Sequence, residues 1–292
     1  MDNNEITNEI KMVKLEKVYM EWDKLSKLSD YEINNLNGRS RLGCDLLDYY
    51  FFFNRLETIG NKGINFFNFI ENIEYYKSKK YIQTLLDYCD NNNRYKENIY
   101  KRYYYIYGLC FGRINGFKIT NAMQFYKKYN PSSILDPFCG FGGRLVAALL
   151  LNINYIGIDL NYDLEGKYNK LLTDFKDRYT SRVELLFQNS LCVDYENKVY
   201  DMVFTSPPYE NIEVYKYSTV LTSDQWTVFY KTIFTKLWNN MRIGGIYAIN
   251  INKKIYNNIL VPLFGEAREI LLLKKSSKNE YTEYIYVWQK EK

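Results

Sequence analysis

The chain has 292 residues, 47% apolar and 25% charged, enough to bury a core as one large domain or as a catalytic domain with an appendage. It contains no histidine, which excludes Ser-His-Asp triads, imidazole proton shuttles and most zinc or iron sites. The net charge of +5 is uneven: residues 62–128 carry +7 and residues 1–61 carry −3, which fits either a polyanionic partner or a solvated lysine-rich surface.

Residues 1–125 read as helical, because apolar residues recur at spacings of three and four. Val13, Leu15 and Val18 with Trp22 and Leu25 form one such set, and Leu46, Leu47, Tyr50 and Phe53 another. Turn signals at NGRS (37–40), GNKG (60–63) and DNNN (90–93) separate the helices. Near the end of this region Arg94, Lys96, Lys101 and Arg102 interleave with Tyr95, Tyr100 and Tyr103–Tyr105, as on surfaces that hold phosphates and stack bases. Tyr100, Tyr103, Tyr104 and Tyr107 also fall at helical spacing, which suits a core face equally well. Arg113, Lys118, Lys127 and Lys128 extend the positive charge toward the second half.

From Pro131 the pattern changes to short apolar runs alternating with helices. Strands are expected at 132–138, 154–160, 182–187, 200–206 and 244–251, with helices over 144–151, 223–241 and a polar-faced one ending near Phe175. This alternation predicts a parallel α/β sheet. The last two runs, 269–275 and 281–289, have no helix between them and are expected to form an antiparallel hairpin at the sheet edge.

Four strand ends carry chemistry. Asp136-Pro-Phe138-Cys-Gly140-Phe-Gly142-Gly143 joins the first strand to a helix, where glycines admit a ligand close to the backbone and free N–H groups face a carboxylate. A nicotinamide-type G-x-G-x-x-G would require glycine at 145, where Leu145 stands. Asp159 ends the second strand, where a carboxylate can accept from both ribose hydroxyls of a nucleoside cofactor or can cap the next helix. Asn189 follows the third strand and can accept from an adenine amino group through its carbonyl, or can simply occupy a turn. The fourth strand ends in Phe204-Thr-Ser206-Pro207-Pro208-Tyr209. Two prolines there remove two amide donors and rigidify a loop that aims its carbonyls. The lone pair of an exocyclic base amine is delocalised into its ring. Acceptors at Ser206 Oγ and the Pro207 carbonyl, with Tyr209 stacked on the base, would make it nucleophilic without a metal. Glu213, Tyr215 and Lys216 follow and are expected to shape the pocket.

With the glycine loop first and S-P-P-Y second, residues 132–252 resemble the S-adenosylmethionine-dependent amino-methyltransferases of nucleic acids. The resemblance implies a Rossmann-like methyltransferase fold of α/β class. It would comprise a catalytic domain at 126–292 and a helical N-terminal extension at 1–125 that recognises nucleic acid, DNA first. It implies S-adenosyl-L-methionine as cofactor, held by Asp136, Phe138, Gly140, Gly142, Asp159 and Asn189. Ser206, Pro207, Pro208 and Tyr209 would do the chemistry, and Arg94, Lys96, Lys101 and Arg102 would bind the substrate. The F-T-S-P-P-Y form is typical of N4-cytosine enzymes, and D-P-P-Y or N-P-P-Y of N6-adenine enzymes. FGGRL (141–145) and SPPYENIEVY (206–215) look like methyltransferases of phages and large DNA viruses. RNA bases, a protein glutamine amide, or a degenerate binding subunit are the alternatives. The five cysteines form no C-x-x-C pair and read as reduced thiols of an intracellular chain. The opening MDNNEITNEI is polar and unlike a signal peptide, and no apolar run approaches the ~20 residues of a membrane span.

Overall fold

The computed structural model describes residues 1–38, 40–211, 214–275 and 282–291. Among the described residues nine helices precede the first strand: α1 (Asn3–Ile10), α2 (Leu15–Ser26), α3 (Asp30–Asn34), α4 (Cys44–Glu57), α5 (Phe66–Glu71), α6 (Ile73–Lys77), α7 (Lys80–Asn91), α8 (Ile99–Cys110) and α9 (Ile119–Tyr129). Local chemistry sets several of their starts. Asp2 and Ser29 open α1 and α3 with capping boxes, each accepting from backbone N–H groups while Glu5 and Glu32 reach back.

Strands and helices then alternate: β1 (Ser133–Asp136), α10 (Gly143–Leu150), β2 (Asn154–Asp159), α11 (Glu165–Asp174), β3 (Val183–Phe187), β4 (Met202–Thr205), α12 (Ser223–Asn240) and β5 (Ile246–Ile251). A helical stretch follows, built of α13 (Lys253–Ile255), a π turn (Tyr256–Leu260) and α14 (Val261–Phe264), before β6 (Glu269–Lys275) and β7 (Thr282–Gln289). The sheet order is β3-β2-β1-β4-β5-β7-β6. β1 to β5 pair in parallel, and β7 runs antiparallel to both β5 and β6. The fold is thus the expected Rossmann-like α/β one, and the final hairpin does lie at the edge, with β7 inserted beside β5. Tyr281, the first residue expected in that last strand, lies outside the described residues.

Strand residues alternate between two cores, as the two-residue period requires. Ile134, Met202, Phe204 and Ala248 face a core shared with α2, α4, α9, α10 and α11. Leu135, Val203, Tyr247 and Ile249 face the other side, against α12 and the stretch after β5. Both faces of the sheet are therefore covered, as parallel sheets require.

The helical region contributes directly to the first of these cores. Trp22 of α2 stacks on Phe175 with ring centroids 4.0 Å apart, and Phe125 of α9 stacks on Phe204 at 4.2 Å. α9 straddles residue 125, so the chain crosses from helical region to sheet inside one packed element. A separate aromatic cluster of Phe52, Phe66, Phe69, Tyr103 and Tyr107 holds α4, α5 and α8 together. Among the described residues no helix is long and apolar enough to cross a membrane.

Candidate active site

In this strand order the direction of winding reverses between β1 and β4, and a crevice opens at their carboxyl ends. The glycine loop leaves β1 there and the Ser206–Tyr209 loop leaves β4. Both line one cavity of about 1190 Å³, larger than the roughly 300–1,000 Å³ that holds a single small ligand.

Beneath the loops, Asp136 is fully buried and saturated with donors. It accepts from Arg144 Nε (2.5 Å), Tyr155 OH (2.6 Å), Thr205 Oγ1 (2.8 Å) and the Phe138 amide (3.3 Å). Arg144, in the first turn of α10, also donates to the Phe138 carbonyl at 2.6 Å. Asp136, expected as a cofactor ligand, instead ties the glycine loop to β2 and β4 and does not line the cavity. Gly142 also lies behind the wall. Its φ of +77° and a Cβ position 2.7 Å from Phe51 Cε2 make it a packing glycine.

Phe138 and Gly140 do line the cavity, and so do Asp159 and Asn189. Asp159 accepts the Gly140 amide on one oxygen (2.8 Å) and the Asn161 amide on the other (2.9 Å). A carboxylate has about four lone-pair sites, so each oxygen keeps one for a ligand, the pattern two vicinal hydroxyls require. Burial pushes this carboxyl up to about 6, against the lowering effect of the two amides. Asn189 is exposed and caps the short turn Ser190–Cys192 by accepting from the Leu191 amide (3.0 Å). Its oxygen retains a second lone pair for an amino group. Ser190 Oγ donates to the Pro137 carbonyl (2.5 Å), fixing this turn to the glycine loop.

Ser206, Pro207, Pro208 and Tyr209 line the same cavity. Tyr230 OH of α12 donates to the Pro208 carbonyl (2.6 Å) and accepts the Glu210 amide (2.8 Å), which holds the double-proline turn. Trp226 Nε1 donates to Asn211 Oδ1 (3.0 Å) and extends that brace. Asn250, at the end of β5, bonds the hydroxyls of both Ser206 and Tyr209. Sequence reading missed it, although an amide inside the apolar run YAINI is an anomaly that would have flagged it.

The helical region supplies the third wall, including Lys11, Arg41, Leu47, Asp48, Arg55, Arg113, Phe117 and Lys118. Most of these cations are committed. Lys11 and Arg55 pair with Asp48, and Lys118 Nζ donates to the carbonyls of Gly38 (2.6 Å) and Ser40 (3.1 Å). Arg41 and Arg113 are exposed, and Arg113 lies over the Tyr104 ring at 4.3 Å. Lys127 and Lys128 sit elsewhere, paired with Asp30 and Glu269. Residues after the double proline close the roof: Ile59 and Val214 form an antiparallel bridge, and Lys216 pairs with Asp163. Tyr215 and Lys216 line the cavity, while Glu213 lies outside the described residues.

None of Arg94, Lys96, Lys101 and Arg102 lines this cavity. Arg94 stacks on Tyr105 at 4.3 Å, and Arg102 pairs with Asp90 at 2.5 Å. Tyr103 and Tyr107 are buried in the aromatic cluster, so on this helix the core-face alternative is the one realised. Among the described residues no group of three or more acidic, cysteine or histidine side chains could hold a metal ion.

Fold and cavity together define a Rossmann-like α/β protein. No family model matches the chain, and no curated protein matches it. Several solved structures are similar to part of this chain. TrmN from Thermus thermophilus is 15% identical, over 59% of this chain and 48% of that one, with a TM-score of 0.43. An rRNA methylase from Streptococcus thermophilus is 13% identical over 61% and 99%, with a TM-score of 0.44. NSun6 from Pyrococcus horikoshii, solved with SFG, is 14% identical over 62% and 53%, with a TM-score of 0.43. The match spans about half the length of TrmN and of NSun6.

Proposed function

We propose that the chain is an S-adenosyl-L-methionine-dependent methyltransferase acting on an exocyclic amino group of a base in DNA. The F-T-S-P-P-Y form favours cytosine N4 over adenine N6. One observation carries the reading: Ser206–Tyr209, Gly140 and Asp159 all line a single cavity of about 1190 Å³, more than one small ligand needs.

The residues present fit the cofactor. Asp159 keeps one lone-pair site on each oxygen for the ribose, Asn189 keeps one for the adenine amino group, and Gly140 leaves room for the methionine end. Bound there, S-adenosylmethionine supplies an electrophilic methyl group on a sulfonium. The protein's own part is positioning and electrostatics. Ser206 Oγ and the Pro207 carbonyl accept the two amine hydrogens, which draws the nitrogen out of conjugation and aims its lone pair. The Tyr209 ring supports the base, which must leave the duplex to reach this depth. The phage and large-virus character of the motifs makes DNA in the cytoplasm or in a host nucleoid the natural partner.

The test is incubation with methyl-labelled cofactor and mixed DNA and RNA, followed by digestion and mass spectrometry of the nucleosides. Labelled N4-methylcytosine in DNA is expected, and N6-methyladenine would change the base but keep the chemistry. Label confined to RNA overturns the DNA assignment. No label in either, despite cofactor binding, overturns the nucleic-acid reading in favour of a protein amide or a non-catalytic subunit.

A further inference from the structure

We infer that Asn250 is a positioning residue that sets the hydrogen-bond polarity of the Ser206–Tyr209 site, so that the site accepts an amine and rejects a keto oxygen. The inference rests on the function proposed above and names the residue that gives the site its chemical preference.

The case is a count of hydrogens. Asn250 is 3% exposed and its amide nitrogen donates to the Tyr284 carbonyl at 2.9 Å. A backbone carbonyl can only accept, so the orientation of this amide is fixed, and its oxygen must be the atom facing Ser206 and Tyr209. Ser206 Oγ lies 3.1 Å from that oxygen and Tyr209 OH 3.0 Å from it. Tyr209 OH is also 3.0 Å from the backbone carbonyl of Asn250. Both of these Asn250 atoms are acceptors, and Tyr209 can donate to either of them or to Ser206 Oγ. Either hydroxyl can be the donor across the 3.1 Å contact between Ser206 Oγ and Tyr209 OH: when Tyr209 donates, the Ser206 hydrogen goes to Asn250 Oδ1, and when Ser206 donates, the Tyr209 hydrogen goes to Asn250. In both arrangements the Ser206 hydrogen is held by Asn250 or Tyr209, and lone pairs alone face the cavity.

A hydroxyl free to rotate can donate or accept, and so cannot tell an amino group from a carbonyl. One whose hydrogen is held from behind can. An amine bound at Ser206 meets a lone pair, whereas the keto oxygen of a deaminated base meets lone pair against lone pair. A site built to bond an N–H rejects an analogue lacking it by large factors, because the buried polar group is left unpaired. Asn250 has no place of its own in the transfer and acts through Ser206.

The test uses the DNA that the wild-type chain methylates and compares Asn250→Leu, Asn250→Asp, Ser206→Ala and the double variant Asn250→Leu/Ser206→Ala. Asn250→Leu is expected to slow single-turnover transfer by roughly 10²-fold, the usual scale for losing one preorganised polar contact. Its cofactor Kd should stay within about twofold of wild type, and the double variant should transfer no more slowly than Ser206→Ala alone, as for residues acting through one atom. At saturating cofactor, Asn250→Asp should approach the wild-type rate where its neutral carboxyl donates to Tyr284 and still accepts from the hydroxyls, and should fall behind wild type measured at the same pH as that group ionises. Wild-type transfer by Asn250→Leu, a double variant slower than Ser206→Ala by the full Asn250→Leu factor, or an Asn250→Asp rate in constant ratio to wild type at every pH each overturns this inference alone. A wild-type chain that methylates no base overturns the proposed function as well.

Discussion

Replacing Gly143 by alanine places a Cβ 1.8 Å from the Phe117 carbonyl oxygen and 2.8 Å from its carbon. Ordinary carbon–oxygen contacts start near about 3.3 Å, so the two backbones would have to part by more than about 1 Å. Phe117 cannot retreat easily, because its ring packs edge-on against Phe204 at 5.4 Å. Overpacking of this kind costs about 1–3 kcal/mol when side chains can yield, and backbone against backbone belongs at the upper end. At about 2–4 °C per kcal/mol for a chain near this size, Gly143→Ala should lower Tm by about 6–12 °C. Gly166, inside α11 with nothing within 4 Å of its Cβ position, is the internal control. Gly166→Ala should hold or raise stability by up to about 1 kcal/mol through helix propensity. Urea unfolding of both variants with a common m-value is the assay. A Gly143→Ala midpoint indistinguishable from wild type would refute the claim that the helical region is packed onto the glycine loop.

Cofactor binding should weaken as pH falls through about 6, because the Asp159 carboxyl, pushed up to about 6 by burial, accepts from both ribose hydroxyls only when ionised. Calorimetry in buffers of different ionisation enthalpy should show proton release on binding near that pH, and its absence would remove Asp159 from the ribose site. In the free protein the same raised value makes this carboxyl favour folding below its ordinary 3.8 and lose that contribution as pH rises through about 6. Arg144→Leu leaves the buried Asp136 carboxylate without its cation and should cost about 3–5 kcal/mol in urea unfolding. Arg144→Lys should recover little, since one ammonium cannot reach both Asp136 and the Phe138 carbonyl as the guanidinium does. Arg41→Ala/Arg113→Ala should weaken DNA binding and reduce its salt slope by roughly 1–2, whereas Lys96→Ala/Lys101→Ala should leave both unchanged. The reverse pattern would restore the α8 surface as the phosphate-binding face.

The strands were legible because each is a short apolar run ending at a turn, and the alternation of Ile134 with Leu135 and of Met202 with Val203 follows from the period of two alone. Their order was not, since nothing local in β7 says that it pairs with β5 before β6. The stretch from α13 to α14 escaped notice because Asn257, Asn258 and Pro262 interrupt its pattern and a π turn carries the chain across. Phe138, Gly140, Asp159, Asn189 and Ser206–Tyr209 meet in space for a simple reason: each follows a parallel strand, and parallel strands end on the same side. What lies behind those residues was less visible. Arg144 follows the motif on a helix and looks like a surface residue, yet it is 4% exposed and neutralises Asp136. Asn250 acts on Ser206 across 44 residues, a relation only the β4–β5 pairing creates. The tyrosines of α8 misled through composition, while their spacing already described a core-facing helix.

Single-turnover transfer by wild-type and Ser206→Ala protein, run beside cofactor calorimetry on the same samples, tests the central claim most directly. The account predicts labelled methylated base from the wild type, a transfer rate about 10²-fold or more lower in Ser206→Ala, and cofactor Kd values within about twofold of each other. Equal loss of transfer and cofactor binding, or unimpaired transfer without the Ser206 hydroxyl, would contradict it.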